Sequence, residues 1–368
     1  MMKTLFATLY VLFGLFIAVN GQEHTDKIRK LKKEIEAHDK AVHVITDWMR
    51  DPFIVKGPDD YFYLTATQNG DDRIEYREVI DHGLPLYRSK NLAKWEFVGY
   101  PYTIEDAGNY EDYFETGRQG SADPNNSTHE RALRLWAPEM QFVDDRWAIV
   151  HTSSGKYGNM ILTKGEKIEK PFDMWNERFG NQHDPSIFQD EDGTCWLVTR
   201  CTSIQKLNDD LTDFAGDRIE IGASNRKMGH EGSFIIKFKE KYVLFATGWS
   251  TDKMRKGTYN LYYTVADNIK GPYGPRKFAG RYLGHGTLFQ DKKGRWWSTA
   301  FWNANVPTLS REEAKEKDLS DNAYTIVKQG LTLVPMVIEM VDGDVEVYAK
   351  DPAYRYPGPE EVQDFDLR

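Results

Sequence analysis

The stretch that decides the fold is Asp184-Pro-Ser-Ile-Phe-Gln-Asp-Glu-Asp-Gly-Thr-Cys-Trp-Leu-Val-Thr, residues 184–199. It holds a polar residue and a proline, a short apolar segment, an acidic turn ending in glycine, and an aromatic segment. Two apolar segments joined by turn residues of this kind predict a β-hairpin. A segment of the same form occurs five times, and its opening residues are Asp51, Ala137, Asp184, Glu231 and His285.

The spacing of these openings indicates the architecture. They are 86, 47, 47 and 54 residues apart, and one four-stranded propeller blade takes roughly 40 to 50 residues. The sequence therefore predicts an all-β fold, a five-bladed β-propeller. The long first interval contains residues 103–130, rich in Asp, Glu, Gly and Asn, which we expect to form a loop that shapes a binding cleft. A charged helical insertion is expected at residues 309–319.

Other segments flank the predicted propeller. Residues 1–21 combine a positive start with an apolar run that is shorter than the roughly 20 residues of a membrane span. They predict a cleaved signal peptide, and hence a secreted or periplasmic protein, rather than a transmembrane anchor. Residues 22–45 are predicted to form a helical leader, because Ile28, Leu31 and Ile35 recur at helical spacing. The propeller is expected over residues 46–350 and a C-terminal tail over residues 351–368.

Composition narrows the classes of partner. The chain has 368 residues, 40% of them hydrophobic, and a net charge of -9. With no long basic run, it is not expected to bind nucleic acid, nor a membrane once the signal is cleaved. Cys195 and Cys201 would lie about 20 Å apart on one strand, so we expect them to stay unbridged. The oligomeric state is not predicted.

Propeller geometry brings the opening residues together. The innermost strand of each blade starts near the central axis, so the five openings are expected to face one funnel. Three carboxylates, Asp51, Asp184 and Glu231, would then meet His285. Carboxyl groups this close must differ in ionisation, which is what acid and base catalysis requires. Ala137 would leave room for a ligand.

Five short motifs carry a family resemblance. They are Arg50-Asp-Pro, Leu135-Trp-Ala-Pro-Glu139, His183-Asp-Pro-Ser-Ile-Phe-Gln-Asp-Glu-Asp-Gly193, Glu231-Gly and Gly284-His-Gly286. In this order and spacing, the chain from about Asp47 to Tyr348 resembles glycoside hydrolase family 43, whose members are five-bladed propeller enzymes acting on plant or algal polysaccharide fragments. The leader helix also resembles that of the related family 117 enzymes. One departure is the Gly-Ser after Glu231, where Gly-Pro is more usual.

The resemblance implies roles for the carboxylates. Asp51 matches the general base that activates water, and Glu231 matches the general acid that protonates the leaving oxygen. Asp184 matches the carboxylate that positions the acid, and its negative charge would favour the protonated form of Glu231. In an inverting enzyme the base and the acid stand roughly 6.5 to 9.5 Å apart, which leaves room for the water.

Other residues are candidates for binding. The resemblance places His285 near the funnel floor, where some relatives hold a calcium ion or a water. No cofactor is required, and a possible Ca²⁺ would bind His285 through a water, since imidazole is a poor ligand for calcium. A buried histidine satisfied by the backbone would look the same in the sequence. Trp136 is expected to stack on a sugar ring, and His183, His230 and His285 are candidate substrate contacts.

The expected function is that of a secreted inverting glycoside hydrolase acting on an oligosaccharide or polysaccharide. It would release arabinofuranose, xylose or galactose, with the sugar, the linkage and exo or endo action left open. Two alternatives remain open. A retaining propeller glycosidase of the fructan-cleaving type, suggested by Trp48-Met-Arg-Asp-Pro52, would use Asp51 as a nucleophile. A non-catalytic carbohydrate-binding propeller would need no converging carboxylates.

Overall fold

Five antiparallel β-sheets make up most of the described chain. The computed structural model describes residues 25–67, 83–103, 135–153, 160–163, 165–168, 172–175, 182–252, 257–302 and 326–367. The predicted signal peptide, the predicted loop beyond residue 103 and the predicted insertion at 309–319 lie outside these residues. Four sheets have four strands each and the fifth has five, which confirms the five-bladed β-propeller.

The blades follow one another along the chain. In order, the strands are β1 (Val42–Ile45), β2 (Arg50–Lys56), β3 (Phe62–Thr67), β4 (Gly83–Ser89), β5 (Glu96–Thr103), β6 (Leu135–Val143), β7 (Arg146–Ser153), β8 (Met160–Thr163), β9 (Phe172–Trp175), β10 (Ser186–Gln189), β11 (Cys195–Thr199), β12 (Ser203–Lys206), β13 (Ile219–Glu220), β14 (Glu231–Phe238), β15 (Lys241–Trp249), β16 (Tyr259–Ala266), β17 (Lys277–Gly280), β18 (Leu288–Gln290), β19 (Trp296–Phe301), β20 (Leu331–Val341) and β21 (Asp344–Ala349). Strands β2–β5, β6–β9, β10–β13 and β14–β17 form the first four blades. Strands β18–β20, with β1 and β21, form the fifth.

The two inner strands of each blade form the hairpin that the repeat predicted. In the second blade, Asp144 and Asp145 both have left-handed φ angles, 49° and 61°, as a two-residue hairpin turn requires. In the third blade, Gly193 closes the turn with a φ of 85° and donates its N–H to the carbonyl of Asp190 at 3.0 Å. Aspartate and glycine therefore reverse the chain where the sequence indicated.

The core lies between neighbouring blades. All six residues of β3 are buried, because the second strand of a blade is covered on both faces. Trp147 packs in a cluster with Tyr63 of the first blade, and Trp297 packs with Phe62. Trp196 is buried as well.

The first strand closes the ring. In β1, Val42 pairs with Leu333 of β20, and further along β20 Met336 pairs with Ala349 of β21. The propeller therefore begins at Val42 and not at residue 46. The predicted leader extends too far toward the C-terminus, because Val42–Ile45 forms a strand only by pairing with β20, near the other end of the chain.

The leader helix, α1 (residues 25–37), seals this closure from outside. Leu31 and Ile35 are buried in the cluster that holds Trp297. Arg295 donates to the carbonyls of Glu36 at 2.7 Å and Ile35 at 3.2 Å, which satisfies carbonyl groups at the end of the helix. The predicted N-terminal helix is therefore present, and it is attached to the fifth blade.

The C-terminal tail is ordered against the propeller. Asp351 accepts from the N–H of Ala41 at 2.8 Å and caps the short helix α2 (Pro352–Arg355). Residues 356–367, which we call the C-terminal strap, follow this helix. The ring of Phe365 in the strap lies 6.0 Å from that of Tyr262 and 5.5 Å from that of Phe278, both in the fourth blade.

Cys195 and Cys201 are not joined by a disulfide, as predicted, and both are buried. Among the described residues, neither helix is both long and apolar enough to cross a membrane.

Candidate active site

Every blade opens with a residue in the left-handed backbone region. The φ angles lie between 44° and 59° at the five openings, which are Asp51, Ala137, Asp184, Gly232 and His285. The fourth opening is therefore Gly232, one residue after the position that the repeat predicted. A β-carbon at residue 232 would come within 2.6 Å of the His285 ring, so this position requires glycine. Glu231 enters the site from the position before the opening, as His183 does in the third blade.

Threonine hydroxyls from the second strand of a blade hold the openings. Thr67 donates to Asp51 Oδ2 at 2.9 Å and accepts from the N–H of Ala137 at 2.7 Å. Thr152 donates to Asp184 Oδ1 at 2.8 Å and accepts from the N–H of Asp184 at 2.6 Å. Equivalent bonds join Thr247 Oγ1 to the N–H of His285 and Thr299 Oγ1 to the carbonyl of Pro52, each at 2.7 Å. Each hydroxyl thus ties one blade to the opening of the next.

The predicted side chains form one chain of contacts. His285 Nδ1 lies 3.2 Å from Asp51 Oδ1, and His285 Nε2 lies 3.7 Å from Asp184 Oδ2. His183 extends the chain, with Nδ1 3.7 Å from Asp184 Oδ2 and Nε2 3.8 Å from Glu231 Oε2. Asp51 and Glu231 therefore stand at opposite ends, with Asp184 between them.

Exposure divides these side chains into two groups. Asp51, Asp184 and His285 are at most 10% exposed. Glu231 is 33% exposed and His183 is 49% exposed. Glu231 and His183 therefore line the open side of the site, where a ligand from solvent would first meet the protein.

Opposite charges set the ionisation of the buried groups. Burial disfavours ionised Asp184, but His285, His183 and the hydrogen bond from Thr152 outweigh it and hold the pKa of Asp184 below its usual value. Burial also disfavours protonated His285, but Asp51 and Asp184 outweigh it and raise the pKa of His285. The charges at the centre of the site therefore favour an imidazolium between carboxylates.

Tyr259, at the start of β16, is the direct partner of Glu231. Its hydroxyl contacts Glu231 Oε1. Burial, followed by the nearby charge of Glu231, raises the pKa of Tyr259 well above its ordinary value. Tyr259 therefore stays protonated and donates to the carboxyl group.

Glu139, in the motif Trp136-Ala-Pro-Glu139, adds a buried carboxyl group near His285 and Asp184. Burial raises the pKa of Glu139 to about 8, and a hydrogen bond from Ser186 only partly offsets that effect. Its Oε2 is buried and has no hydrogen-bond partner among the residues that the structure describes. Glu139 is therefore mostly neutral at pH 7 and adds no further full negative charge.

The two remaining predicted substrate contacts, Trp136 and His230, are not part of the chain of contacts between the carboxylates. Trp136 is half-buried and pairs with Thr152, whose hydroxyl holds Asp184. Burial lowers the pKa of His230 to about 4, so its imidazole is neutral at pH 7. Its backbone N–H bonds to the carbonyl of Thr247 at 2.6 Å. No ion pair or hydrogen bond within the described ranges joins the His230 ring to the three carboxylates, unlike the rings of His183 and His285.

The described side chains around His285 do not offer the set of oxygen ligands that the suggested calcium ion would need. Both ring nitrogens of His285 face carboxylates. His183, Asp184 and Glu231 bring donor atoms within 4.8 Å of one another. These are two oxygens and one nitrogen, whereas calcium takes six to eight oxygens. This group does not fit calcium, and an ion held through water stays a prediction.

Sequence reasoning missed Tyr259, Glu139 and the threonines. The threonines had a visible signal, because the second strand of every blade carries one at or within two residues of its end, at Thr67, Thr152, Thr199, Thr247 and Thr299. Glu139 also had one, as an acidic residue inside an apolar strand. Tyr259 had none, since its contact with Glu231 joins residues from two strands that do not pair with each other.

The geometry agrees with comparisons to known proteins. The family model for glycosyl hydrolases family 43 matches residues 43–315. The chain belongs to glycosyl hydrolase family 43. This match covers all five blade openings and ends before β20. The predicted family is thereby confirmed.

Curated relatives of this family 43 chain are distant. It is 24% identical to xylosidase/arabinosidase 43B of Humicola insolens over 67% of this chain and 46% of that protein. It is 23% identical to a putative beta-xylosidase of Escherichia coli over 69% of this chain and 47% of that protein. The chain thus spans about half the length of these relatives.

Solved structures of family 43 share the fold. The enzyme BlXynB of Bacillus licheniformis is 19% identical with a TM-score of 0.55, over 88% of this chain and 59% of that one. A family 43 enzyme of Xanthomonas citri complexed with xylotriose is 13% identical with a TM-score of 0.56, over 88% of this chain and 97% of that one. At these identities the likeness shows the propeller fold alone.

Proposed function

We propose that this protein is an inverting glycoside hydrolase that releases xylose or arabinofuranose from fragments of plant or algal polysaccharides. One observation carries the proposal: Asp51 and Glu231, from different blades, stand at opposite ends of a contact chain centred on Asp184. Hydrolysis of a glycoside needs one carboxylate and one carboxylic acid on opposite sides of the sugar. The names of the curated relatives favour xylosyl and arabinosyl substrates over galactosyl ones.

Asp51 acts as the general base. Thr67 donates to one of its oxygens, and the imidazolium of His285 faces the other, so the carboxylate is held in one orientation. A water molecule attacks the anomeric carbon and gives its proton to Asp51. The bond between the anomeric carbon and the leaving oxygen breaks in the same displacement.

Glu231 acts as the general acid. Its proton passes to the leaving oxygen as the bond breaks, which leaves Glu231 ionised and Asp51 protonated until solvent exchanges the proton. The partial exposure of Glu231 suits this role, because the leaving group departs toward solvent. Asp184, ionised and buried beside His183, keeps a negative charge close to Glu231.

The stereochemistry of the product tests the proposal. A single displacement by water inverts the anomeric carbon and forms no covalent glycosyl-enzyme. Proton NMR of the first-formed sugar, recorded before mutarotation, should show the anomer opposite to that of the substrate. Retained configuration would make Asp51 a nucleophile and the protein a retaining enzyme. Absence of turnover across a panel of aryl xylosides and arabinofuranosides would contradict the glycosidase proposal.

Export is a separate part of the proposal. Residues 1–21 have the sequence of a signal peptide, so the mature chain should begin at Gln22 in the periplasm or the medium. N-terminal sequencing of the fractionated protein tests this. A chain that begins at Met1 and remains in the cytoplasm would contradict it.

A further inference from the structure

The C-terminal strap reaches the blade that carries Glu231. Val362 donates its N–H to the carbonyl of Ser250 at 3.0 Å, and Glu360 Oε1 accepts from the hydroxyl of Thr258 at 2.7 Å. Both contacts fall on the connection between β15 and β16. This connection is at the site end of the blade, because Thr247 of β15 pairs with Glu231.

Glu360 is also half of a buried ion pair. Arg281 donates through Nε to Glu360 Oε1 at 2.9 Å, and the two side chains are 8% and 2% exposed. The same oxygen therefore binds both Thr258 and Arg281. One carboxylate of the strap therefore joins the β15–β16 connection, at Thr258, to the segment that leaves the fourth blade, at Arg281.

Tyr259 lies between these two segments. It follows Thr258 directly, and its carbonyl accepts from the N–H of Gly284 at 3.0 Å, three residues after Arg281. The ring packs against Trp249 at 4.6 Å and against residue 284, where a β-carbon would overlap it. The ring therefore has little freedom to move, and its hydroxyl is aimed at Glu231.

We propose that the strap, through Glu360, fixes Tyr259 as a positioning residue for Glu231. The Tyr259 hydroxyl occupies Oε1, so the acidic proton of Glu231 lies on Oε2, the oxygen that faces His183. This inference rests on the acid role proposed above for Glu231. The strap lies outside the residues that the family model matches.

Two tyrosines on one strand provide a matched test. Tyr259 and Tyr262 both lie in β16 and both donate to a glutamate, Glu231 and Glu361 respectively. Tyr259→Phe should lower kcat about tenfold, the effect of losing one hydrogen bond to a charged group, and leave KM within about twofold. Tyr262→Phe should leave kcat unchanged. An unchanged kcat in Tyr259→Phe would overturn the positioning role.

The pH profile separates positioning from a merely structural effect. Within the described part of the chain, the titratable groups facing Glu231 are Tyr259, His183, Asp184, His285 and Cys201. A donor to a carboxyl group stabilises its ionised form. Removing the Tyr259 hydroxyl should therefore move the basic limb of kcat to higher pH, and an unshifted limb would contradict the proposal.

A third variant tests the strap itself. Thr258→Val removes the hydroxyl that joins β16 to Glu360 but keeps the buried pair of Glu360 with Arg281, so the fold should survive. We expect faster amide exchange over residues 258–262 than in Tyr262→Phe, and a basic limb shifted the same way as in Tyr259→Phe. Exchange equal to that of Tyr262→Phe would disprove the link from the strap to Tyr259.

The exchange measurement also separates the two proposals. If the wild-type chain hydrolyses no glycoside but Thr258→Val still accelerates exchange at Tyr259, the proposed function fails while the coupling of the strap to Tyr259 stands. If the wild-type chain is active and exchange is unaffected, only the strap inference fails.

Discussion

Asp51 and Glu231 should be distinguishable by the leaving group. Asp51→Asn should lose at least about a hundredfold in kcat on any glycoside, because water still needs a base. Glu231→Gln should lose as much on a disaccharide but far less on a dinitrophenyl glycoside of the same sugar, whose leaving group needs no proton. Comparison of kcat on both substrates measures this difference.

The controls are exposed carboxylates in the same blades. Asp60 lies in the hairpin turn of the first blade and Glu240 in that of the fourth. The control variants are Asp60→Asn and Glu240→Gln. Both should keep wild-type kcat, and all four variants should keep the wild-type melting temperature within a few degrees. If Glu231→Gln lowers kcat equally on the disaccharide and on the dinitrophenyl glycoside, Glu231 is not the general acid.

Asp184 should control the pH range of activity. Its pKa is held low, so it carries negative charge throughout the working range. Asp184→Asn removes that charge, which makes loss of the proton from Glu231 easier. The basic limb of the kcat profile should then move to lower pH, opposite to the shift expected for Tyr259→Phe. A basic limb that stays in place would show that Asp184 does not tune the acid.

The sequence located most of the polar centre because three of its members share one place in the repeat. Asp51, Asp184 and His285 are all blade openings, as predicted. Glu231 was identified as a site residue but was taken for the opening of the fourth blade, which is Gly232, because nothing in a linear repeat shows which residue takes the left-handed conformation. The hydroxyl of Tyr259 could not be placed, since its position depends on packing against Trp249 and Gly284.

The opening of the fourth blade should tolerate no side chain. Gly232→Ala places a methyl group at a φ of 59° and against the His285 ring. It should therefore lose more stability than Gly193→Ala, by on the order of 1–3 kcal/mol for the steric overlap. Gly193 is the matched control, because its φ is 85° but no described atom lies within 4 Å of an added β-carbon. Urea unfolding measures both.

If the two glycine variants lose the same unfolding free energy, the His285 ring moves away from the added methyl group without destabilising the fold. We expect instead that Gly232→Ala also lowers kcat, because displacement of the ring moves the contacts of Asp51 and Asp184. Gly193→Ala, in the third-blade turn, should keep kcat.

The strand pattern was predictable where partners are near in sequence. Hairpins such as Ser186–Gln189 with Cys195–Thr199 follow from turn residues and alternation. Strand β1 was not predictable, because four residues after a helix gain strand geometry only from Leu331–Val341. The contacts of the tail, such as that of Glu360 with Arg281, were not predictable for the same reason, because they join residues far apart in the chain.

Closure of the ring should dominate stability. A variant lacking residues 1–46 loses β1 and α1, together with the buried side chains of Leu31, Ile35 and Val42. Each such side chain contributes about 1.5–3 kcal/mol, so the melting temperature should fall by roughly 10 °C or more. A variant lacking residues 1–24 keeps both elements and should match the full chain. Thermal unfolding followed by circular dichroism measures both.

Size-exclusion chromatography adds a second readout for the shortened chain. Without β1, the first half of β20 presents unpaired backbone groups, which favours association with other chains. A shortened chain that stays monomeric and melts at the wild-type temperature would show that the fifth blade is stable without its closing strand.

The threonine bonds to the blade openings have a consequence for redesign and for evolutionary divergence. These four bonds are made to backbone N–H or carbonyl groups at or next to an opening. The backbone there is therefore held in place whichever side chain the opening carries. New chemistry can thus be introduced by exchanging one side chain without rebuilding a loop. At Ala137 the opening side chain is only a methyl group. This is therefore the position where a designer would first introduce an additional functional group.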